Sequence, residues 1–410
     1  MAKELKQKYY KTLNKARTPI FMLNSILGGG ISFGRLVNAF GKNQSGKSTF
    51  CLQAAQYFLE DYGDNCRVVI LDSEANYADA SRLENAFKIS PHNGEVEVIN
   101  PDPRVFLHFN ATIEGTFNTC IKYVNESREL NIPTLIIIDS LSTLVPSRDM
   151  EELEKALSAG GMENTFAGGM MLAPRIMGQK VSHLLGALPS SLAVVLTVSQ
   201  ATADMEASSA YAGPQIKAKN PGYSLGHAFH LQLKFSILPS SLKANPNDKS
   251  DAAKANKNYI DKNMQDDENT RKTTLTNIQI TKNKISVCEE DITLMINNIN
   301  GGRFIEQFEI FESLSVAKGL LASNGGRFYL RDDLKEKYAG RMLTYIDYSG
   351  DETVEKQKDL NVSWLKKEIV TSAEFFQLLK DEIVLYYRDN VSSVDSIYQQ
   401  MEHFKTAKGL

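Results

Sequence analysis

Eight consecutive residues constrain this chain more than any other feature: Gly41, Lys42, Asn43, Gln44, Ser45, Gly46, Lys47 and Ser48. An apolar run precedes them, from Leu36 to Phe40. The segment that follows, residues 49–61, sets Leu52, Ala55, Phe58 and Leu59 at helical spacing. Strand, glycine-bounded turn and helix in that order make a phosphate cradle. Glycines let backbone N–H groups approach an anion without Cβ clashes, and the helix presents its positive N-terminus. In this spacing Lys47 reaches the β and γ phosphates and Ser48 ligates Mg²⁺. The reading is an ATP site with Mg²⁺, built from Gly41 through Ser48 and the adjoining Thr49.

Three further strands are legible. Residues 68–71 end in Asp72-Ser73-Glu74, residues 135–138 in Asp139-Ser140, and residues 193–198 in Ser199-Gln200. Short buried strands alternating with helices predict an α/β fold, its central sheet mostly parallel and flanked by helices. Ligands in such sheets collect at the carboxyl ends of the strands, where these polar residues sit. Asp139 is the candidate for the Mg²⁺ shell. Hydrolysis also needs a carboxylate near the γ-phosphate that the metal does not consume. Glu74 is the first candidate and Asp72, two residues away, its rival.

The rest of the chain sets bounds. With 46 Lys and Arg against 49 Asp and Glu, the net charge is −3, so any nucleic-acid surface must be local. Cys51, Cys66, Cys120 and Cys288 form no CxxC pair and read as buried free thiols rather than zinc ligands. No apolar run approaches ~20 residues, so no membrane span is expected. The N-terminus lacks the apolar core of a signal peptide, and a cytoplasmic protein is expected. Residues 1–17 hold six basic residues and one Glu and read as a short basic helix, the main part of an N-terminal arm over 1–19. Residues 146–170 and 201–222 follow core strands without helical periodicity and read as long functional loops. Residues 239–273 carry seven basic and six acidic residues and read as a mobile insertion between two strands, the second at 276–281. Beyond Gly301-Gly302 the composition turns helical and aromatic, predicting a smaller α-rich C-terminal domain over 301–410 after a core over 20–300.

Taken together, the 41–48 motif with its flanks, the Asp72-Ser73-Glu74 segment, the strand ending in Asp139-Ser140, and Val198-Ser199-Gln200 resemble the RecA and phage UvsX recombinases. Residues 280–286, Ile-Thr-Lys-Asn-Lys-Ile-Ser, resemble a family segment too. The resemblance covers about 20–300 and implies a RecA-type core. It implies that Glu74 activates water and that Gln200 senses the γ-phosphate and reports to the DNA-binding loop beyond it. Lys282 and Lys284 are implied to reach the ATP site of a neighbouring subunit. The family's DNA-binding loops fall on 146–170 and 201–222, with Met170 and Arg175 near DNA, Lys217 and Lys219 as further phosphate contacts, and Gly222 opening a helix that faces a phosphate. The sequence departs from the pattern in places. Pro221 stands where the family often has Gly, and His227 near a usual Phe. Ser81 replaces an adenine-stacking Tyr, for which Tyr77 is the substitute. These departures favour a phage UvsX-like branch.

The function implied is a DNA-dependent ATPase that forms helical filaments on single-stranded DNA and exchanges strands with homologous duplex DNA. Its ATP site would be shared between subunits, with single-strand-binding and mediator proteins as possible partners. The alternatives are a RecA-core ring helicase and an ATP-binding mediator with little turnover.

Overall fold

The computed structural model describes residues 15–92, 97–98, 100–158, 172–209, 213–218, 223–238, 273–286, 290–298, 302–347 and 354–390. Met170, Lys219, Gly222, Cys288, the first fourteen residues of the arm and residues 239–272 lie outside that set.

The strands run in chain order as β1 (Lys15–Ala16), β2 (Ile31–Ser32), β3 (Arg35–Gly41), β4 (Arg67–Asp72), β5 (Val105–Phe109), β6 (Thr134–Asp139), β7 (Ala193–Ser209), β8 (Gly213–Ala218), β9 (Leu231–Ile237), β10 (Thr273–Asn283), β11 (Asp291–Asn297) and β12 (Arg303–Phe304). Among the described residues the main sheet has the order β12-β11-β10-β9-β3-β7-β6-β4-β5, with β8 joined to β7. From β9 to β5 every pair is parallel, while β10, β11 and β12 add antiparallel strands at one edge. A mostly parallel sheet with flanking helices is the expected fold class.

Strand β6, Thr-Leu-Ile-Ile-Ile-Asp, is buried along its whole length. That is why it reads as an unbroken apolar run: both of its faces are covered. Successive side chains serve different cores. Leu135 and Ile137 join the core beneath the Lys47–Tyr62 helix, whereas Ile136 and Ile138 join the core beneath the Ile113–Glu129 and Leu172–Ala187 helices. Each such side chain contributes about 1.5–3 kcal/mol over its exposed state. The layers fix where the strands end, and the site follows from those ends.

The structure changes four expectations. Lys15–Ala16 is not helical but pairs with Ile31–Ser32. Lys15 Nζ donates to the carbonyls of Leu27 and Gly28 at 2.7 and 2.9 Å, closing a turn that needs extended backbone. The first part of the 146–170 segment is the helix Ser147–Ser158. Glu114 accepts from the Ser147 N–H and hydroxyl at its start, and Arg148 pairs with Glu152 one turn on. In 201–222 the chain does not loop out at Gln200. Strand β7 continues to Ser209 and turns back as β8, with Ala201 opposite Ala218 and Thr202 opposite Lys217. The second strand expected at 276–281 extends over Thr273–Asn283.

Beyond residue 302, helices such as Ala373–Asn390 are joined by strands that composition did not reveal. Strands β13 (Leu321–Asn324), β14 (Arg327–Leu330) and β17 (Trp364–Leu365) form one small sheet, and β15 (Met342–Asp347) pairs with β16 (Val354–Asp359). Val-Glu-Lys-Gln-Lys-Asp in β16 lacks apolar alternation because its side chains are largely exposed. Phe311, Trp364, Phe375 and Tyr387 pack in a cluster continuous with Ile20, Met22 and Leu23 of the N-terminal segment. The buried Glu309 carboxyl group accepts the backbone N–H groups of Phe21 and Met22 at 2.9 and 2.8 Å. Cys51, Cys66 and Cys120 are free and buried. No helix among the described residues is long and apolar enough to cross a membrane.

Candidate nucleotide-binding site

The turn between β3 and the Lys47–Tyr62 helix is held by contacts that require its residue types. A Cβ on Gly41 would stand 2.2 Å from the Phe235 carbonyl oxygen, so the strand can approach β9 only as glycine. Gly46 has φ 98° and caps the helix in a left-handed conformation. Ser45 Oγ donates to the Lys42 carbonyl at 2.8 Å, and Thr276 Oγ1 of β10 donates to the Ser45 carbonyl at 2.9 Å. Lys47 Nζ donates to the Lys42 carbonyl at 2.7 Å, spanning the turn where an anion would lie. Burial pulls the Lys47 ammonium below its ordinary pKa, while Asp139 and Glu74 pull it upward.

The turn opens on a cavity of about 710 Å³. Asn43 to Thr49 line one wall, and Glu74, Asp139, Ser140 and Gln200 line the ends of β4, β6 and β7. These are the residues expected at the carboxyl edge of the sheet. Gly41 and Lys42 do not line the cavity: Gly41 is a packing position against β9, and the exposed Lys42 takes part through its carbonyl.

Asp139 is buried, and burial raises its pKa against hydrogen bonds from the Tyr77 and Ser48 hydroxyls. Its contact with Ser48 brings together the two oxygen ligands assigned to Mg²⁺, and a hydroxyl plus a carboxylate suits that hard cation. The two carboxylates near the γ-phosphate position separate clearly. Asp72 is buried and accepts the backbone N–H groups of Glu74 and Tyr77 at 3.0 and 2.8 Å, so it shapes the turn. Glu74 faces the cavity. Its Oε1 accepts from Ser140 Oγ at 2.5 Å and from Gln200 Nε2 at 3.5 Å. Gln200 is fixed from behind, its N–H donating to Ser142 Oγ at 2.7 Å.

Tyr77 is the clear correction among the site residues. It is fully buried, and its hydroxyl donates to Asp139 Oδ2 at 2.7 Å. A ring packed beneath the site cannot lie on a base in the cavity. The residue acts on the carboxylate instead. The sequence reading missed Arg82, Asn76, Thr274, Ile296, Asn298 and Gly302, all of which line the cavity. Arg82 follows Ser81 directly, so an unmatched basic neighbour was the available signal. Ile296 and Asn298 come from β11 and the residue just past it, about 250 positions after the motif, and only the fold brings them in.

Lys282 and Lys284 lie away from this cavity. Lys282 Nζ donates to the carbonyls of Gly226 and His227 at 2.7 and 3.0 Å, and Lys284 Nζ to that of His227 at 2.9 Å. Both cations therefore sit at the C-terminal carbonyls of the Tyr223–Ala228 helix, the negative end of its dipole. Burial and the neighbouring Lys284 lower the Lys282 pKa. Arg175 is exposed in the first turn of the Leu172–Ala187 helix, and Lys217 is exposed on β8.

No family model matches the chain. Two curated proteins are similar to part of it. Protein RecA of Petrotoga mobilis is 26% identical over 172 residues, which is 42% of this chain and 38% of that protein. Protein RecA of Mycoplasma genitalium is 28% identical over 179 residues, 43% of this chain and 44% of that protein. Over that stretch the chain is similar to these RecA proteins. The match spans less than half the length of either relative. The similarity accords with the mostly parallel sheet, at whose centre β3 leads into the glycine-bounded turn.

Proposed function

We propose that this chain is an ATP-dependent recombinase that assembles on single-stranded DNA, hydrolyses ATP between subunits and exchanges strands with homologous duplex DNA. One observation carries the reading: Glu74 and Gln200 meet at the nucleotide cavity, and the strand that carries Gln200 continues directly into the β7–β8 hairpin. A γ-phosphate that attracts the Gln200 amide pulls on the base of that hairpin. The hairpin is the proposed DNA contact, through Lys217 with Lys219 and Gly222 just beyond it. Arg175 and Met170 supply the second contact.

In the reaction, Lys47 releases the Lys42 carbonyl and binds the phosphates, while the N–H groups of the turn hold their oxygens. Mg²⁺ held by Ser48 and Asp139 would neutralise charge on the β and γ phosphate oxygens. Tyr77 orients Asp139 from below. Glu74 orients and deprotonates the attacking water, and Ser140 holds its carboxylate. Lys282 and Lys284, which do not line their own cavity, would leave the Gly226 and His227 carbonyls and face a neighbour's γ-phosphate in the assembled state. Pro221, His227 and Ser81 support a UvsX-like branch, acting in the cytoplasm of an infected cell. Single-strand-binding and mediator proteins are the proposed auxiliary partners, and no membrane is involved.

Electron microscopy with single-stranded DNA and a slowly hydrolysed ATP analogue tests the assembly. Helical filaments are expected. Closed rings would favour a helicase, and separate monomers would remove the shared site.

A further inference from the structure

Asp139 is held from two sides. The Ser48 hydroxyl reaches its carboxyl group from the phosphate turn, and the Tyr77 hydroxyl donates to Oδ2 at 2.7 Å. Tyr77 is fully buried and does not line the cavity, so its bond comes from the protein interior and draws that oxygen away from the ligand. The tyrosine is itself fixed. Asp72 and Asp139 stand opposite one another on β4 and β6, and Asp72 accepts the Tyr77 backbone N–H at 2.8 Å. Between Asp72 and Tyr77 the chain reverses at Ala75, which takes a left-handed φ of 53°. Strand register thus sets the backbone of Tyr77 against one carboxyl group and its hydroxyl against the next.

The strand ends leave a cation few other oxygens. Asp72 is occupied by the N–H groups of Glu74 and Tyr77, and Glu74 by Ser140 and Gln200. Among the described residues no group of three or more His, Cys, Asp or Glu side chains could hold a metal ion. A cation here therefore completes its shell with phosphate oxygens and water.

We propose that Tyr77 is a metal-selecting residue: by tethering Asp139 Oδ2 it limits that carboxylate to one oxygen for the cation, and so favours Mg²⁺ over Ca²⁺. The proposal rests on the ATP reading of the cavity. Its physical basis is the difference between the two ions. Ca²⁺ takes more oxygens, often both of one carboxylate, in a flexible geometry. Mg²⁺ demands a near-octahedral shell, keeps several waters and needs only one or two carboxylates beside the phosphates. A carboxylate pinned at one oxygen meets the second requirement and fails the first. Tyr77 touches neither cation nor nucleotide, so it is a positioning residue that acts through Asp139.

Equilibrium binding of a fluorescent, non-hydrolysable ATP analogue tests this, with Mg²⁺, with Ca²⁺ and with no divalent cation. Wild type should bind the analogue about tenfold more tightly with Mg²⁺ than with Ca²⁺, the scale of one hydrogen bond to an ionised group. Tyr77→Phe frees Oδ2, and the two affinities should then lie within about twofold of each other, through tighter binding with Ca²⁺. Tyr77→Met, whose flexible apolar side chain fills the space without a hydroxyl, should do the same. A lost packing contact weakens binding with both cations alike, so the ratio separates selection from a structural role. Binding without a cation reports the phosphate turn and shows that the variants are folded. A wild type with no preference, or a Tyr77→Phe or Tyr77→Met protein that keeps the wild-type ratio, would overturn the proposal. Equal losses under all three conditions would overturn it too, making the hydroxyl a purely structural contact. Failure of the ATP reading looks different: wild type would bind the analogue under none of the conditions, and Lys47→Ala would change nothing.

Discussion

Ser140 Oγ donates to Glu74 Oε1 at 2.5 Å, joining the residue after the buried Asp139 to a carboxylate that faces the cavity, while Asp72 is held by backbone N–H groups. The bond holds Glu74 as an acceptor, and a hydrogen bond to an ionised group is worth about 1.5–3 kcal/mol. Glu74→Gln should retain ATP-analogue binding and lose turnover by about 10²-fold or more, since an amide cannot take a proton. Ser140→Ala should lower turnover by a smaller factor, with affinity unchanged. Steady-state kinetics beside a binding titration separates these. Collapse of nucleotide binding in Glu74→Gln would assign that residue to structure and return Asp72 as the base.

Tyr77→Phe removes a hydroxyl from a buried carboxylate and leaves the cavity wall intact. The loss should reach about 1–3 kcal/mol of stability, the cost of an unpaired buried acceptor. Base preference should be unchanged. Urea unfolding and competition between ATP and other triphosphates give the two readings. A changed base preference with unchanged stability would restore Tyr77 to the base subsite.

Glu309 gives a pH signature. Burial raises its pKa from 4.5 to about 8, and Glu306 adds to the rise, while the N–H groups of Met22 and Phe21 and the Lys380 ammonium oppose it. The folded state therefore keeps this proton up to about 8, whereas the unfolded chain releases it near 4.5. Between those values the folded state binds more protons, so this residue's contribution makes stability fall as pH rises and level off above about 8. Glu309→Gln should show a shallower decline in urea midpoint between pH 5 and pH 8. Identical slopes would mean that the carboxylate is ionised throughout, held by its two backbone donors.

The Lys282→Ala/Lys284→Ala protein should bind ATP normally, because neither lysine lines its own cavity. Its turnover with DNA should fall by about 10²-fold, the scale of a lost charge-stabilising donor. Mixed with Glu74→Gln protein, it should regain part of the activity at junctions that pair an intact glutamate with intact lysines. No recovery at any ratio, with co-assembly demonstrated, would argue for a structural role at the Tyr223–Ala228 carbonyls.

What the sequence disclosed depended on how local each signal is. Gly41 to Ser48 are contiguous, and Asp139 closes an unbroken apolar strand, so both were legible without a fold. Tyr77 was misread because its position near Ser81 says nothing of direction, and burial turns its hydroxyl onto Asp139. Ile296 and Asn298 reach the cavity through antiparallel strands added at the sheet edge, a relation that no local spacing encodes. The β7–β8 hairpin is harder to read: Ala201, Ala203, Met205 and Ala207 do alternate with polar residues, but mostly as alanine, a weak strand former, and the two strands pair with each other beyond the core sheet. The same applies to β16, whose strand character comes from pairing with β15.

The central claim is that Gln200 couples the nucleotide to DNA, and ATP hydrolysis measured with and without single-stranded DNA tests it most directly. Wild type should be stimulated by DNA, and the stimulation should weaken with added salt as phosphate contacts are lost. Gln200→Ala should keep the DNA-free rate yet lose the stimulation. It should also bind DNA equally well with an ATP analogue and with ADP, where wild type binds more tightly with the analogue. A wild type that DNA does not stimulate, or a Gln200→Ala protein stimulated as strongly as wild type, would contradict the account.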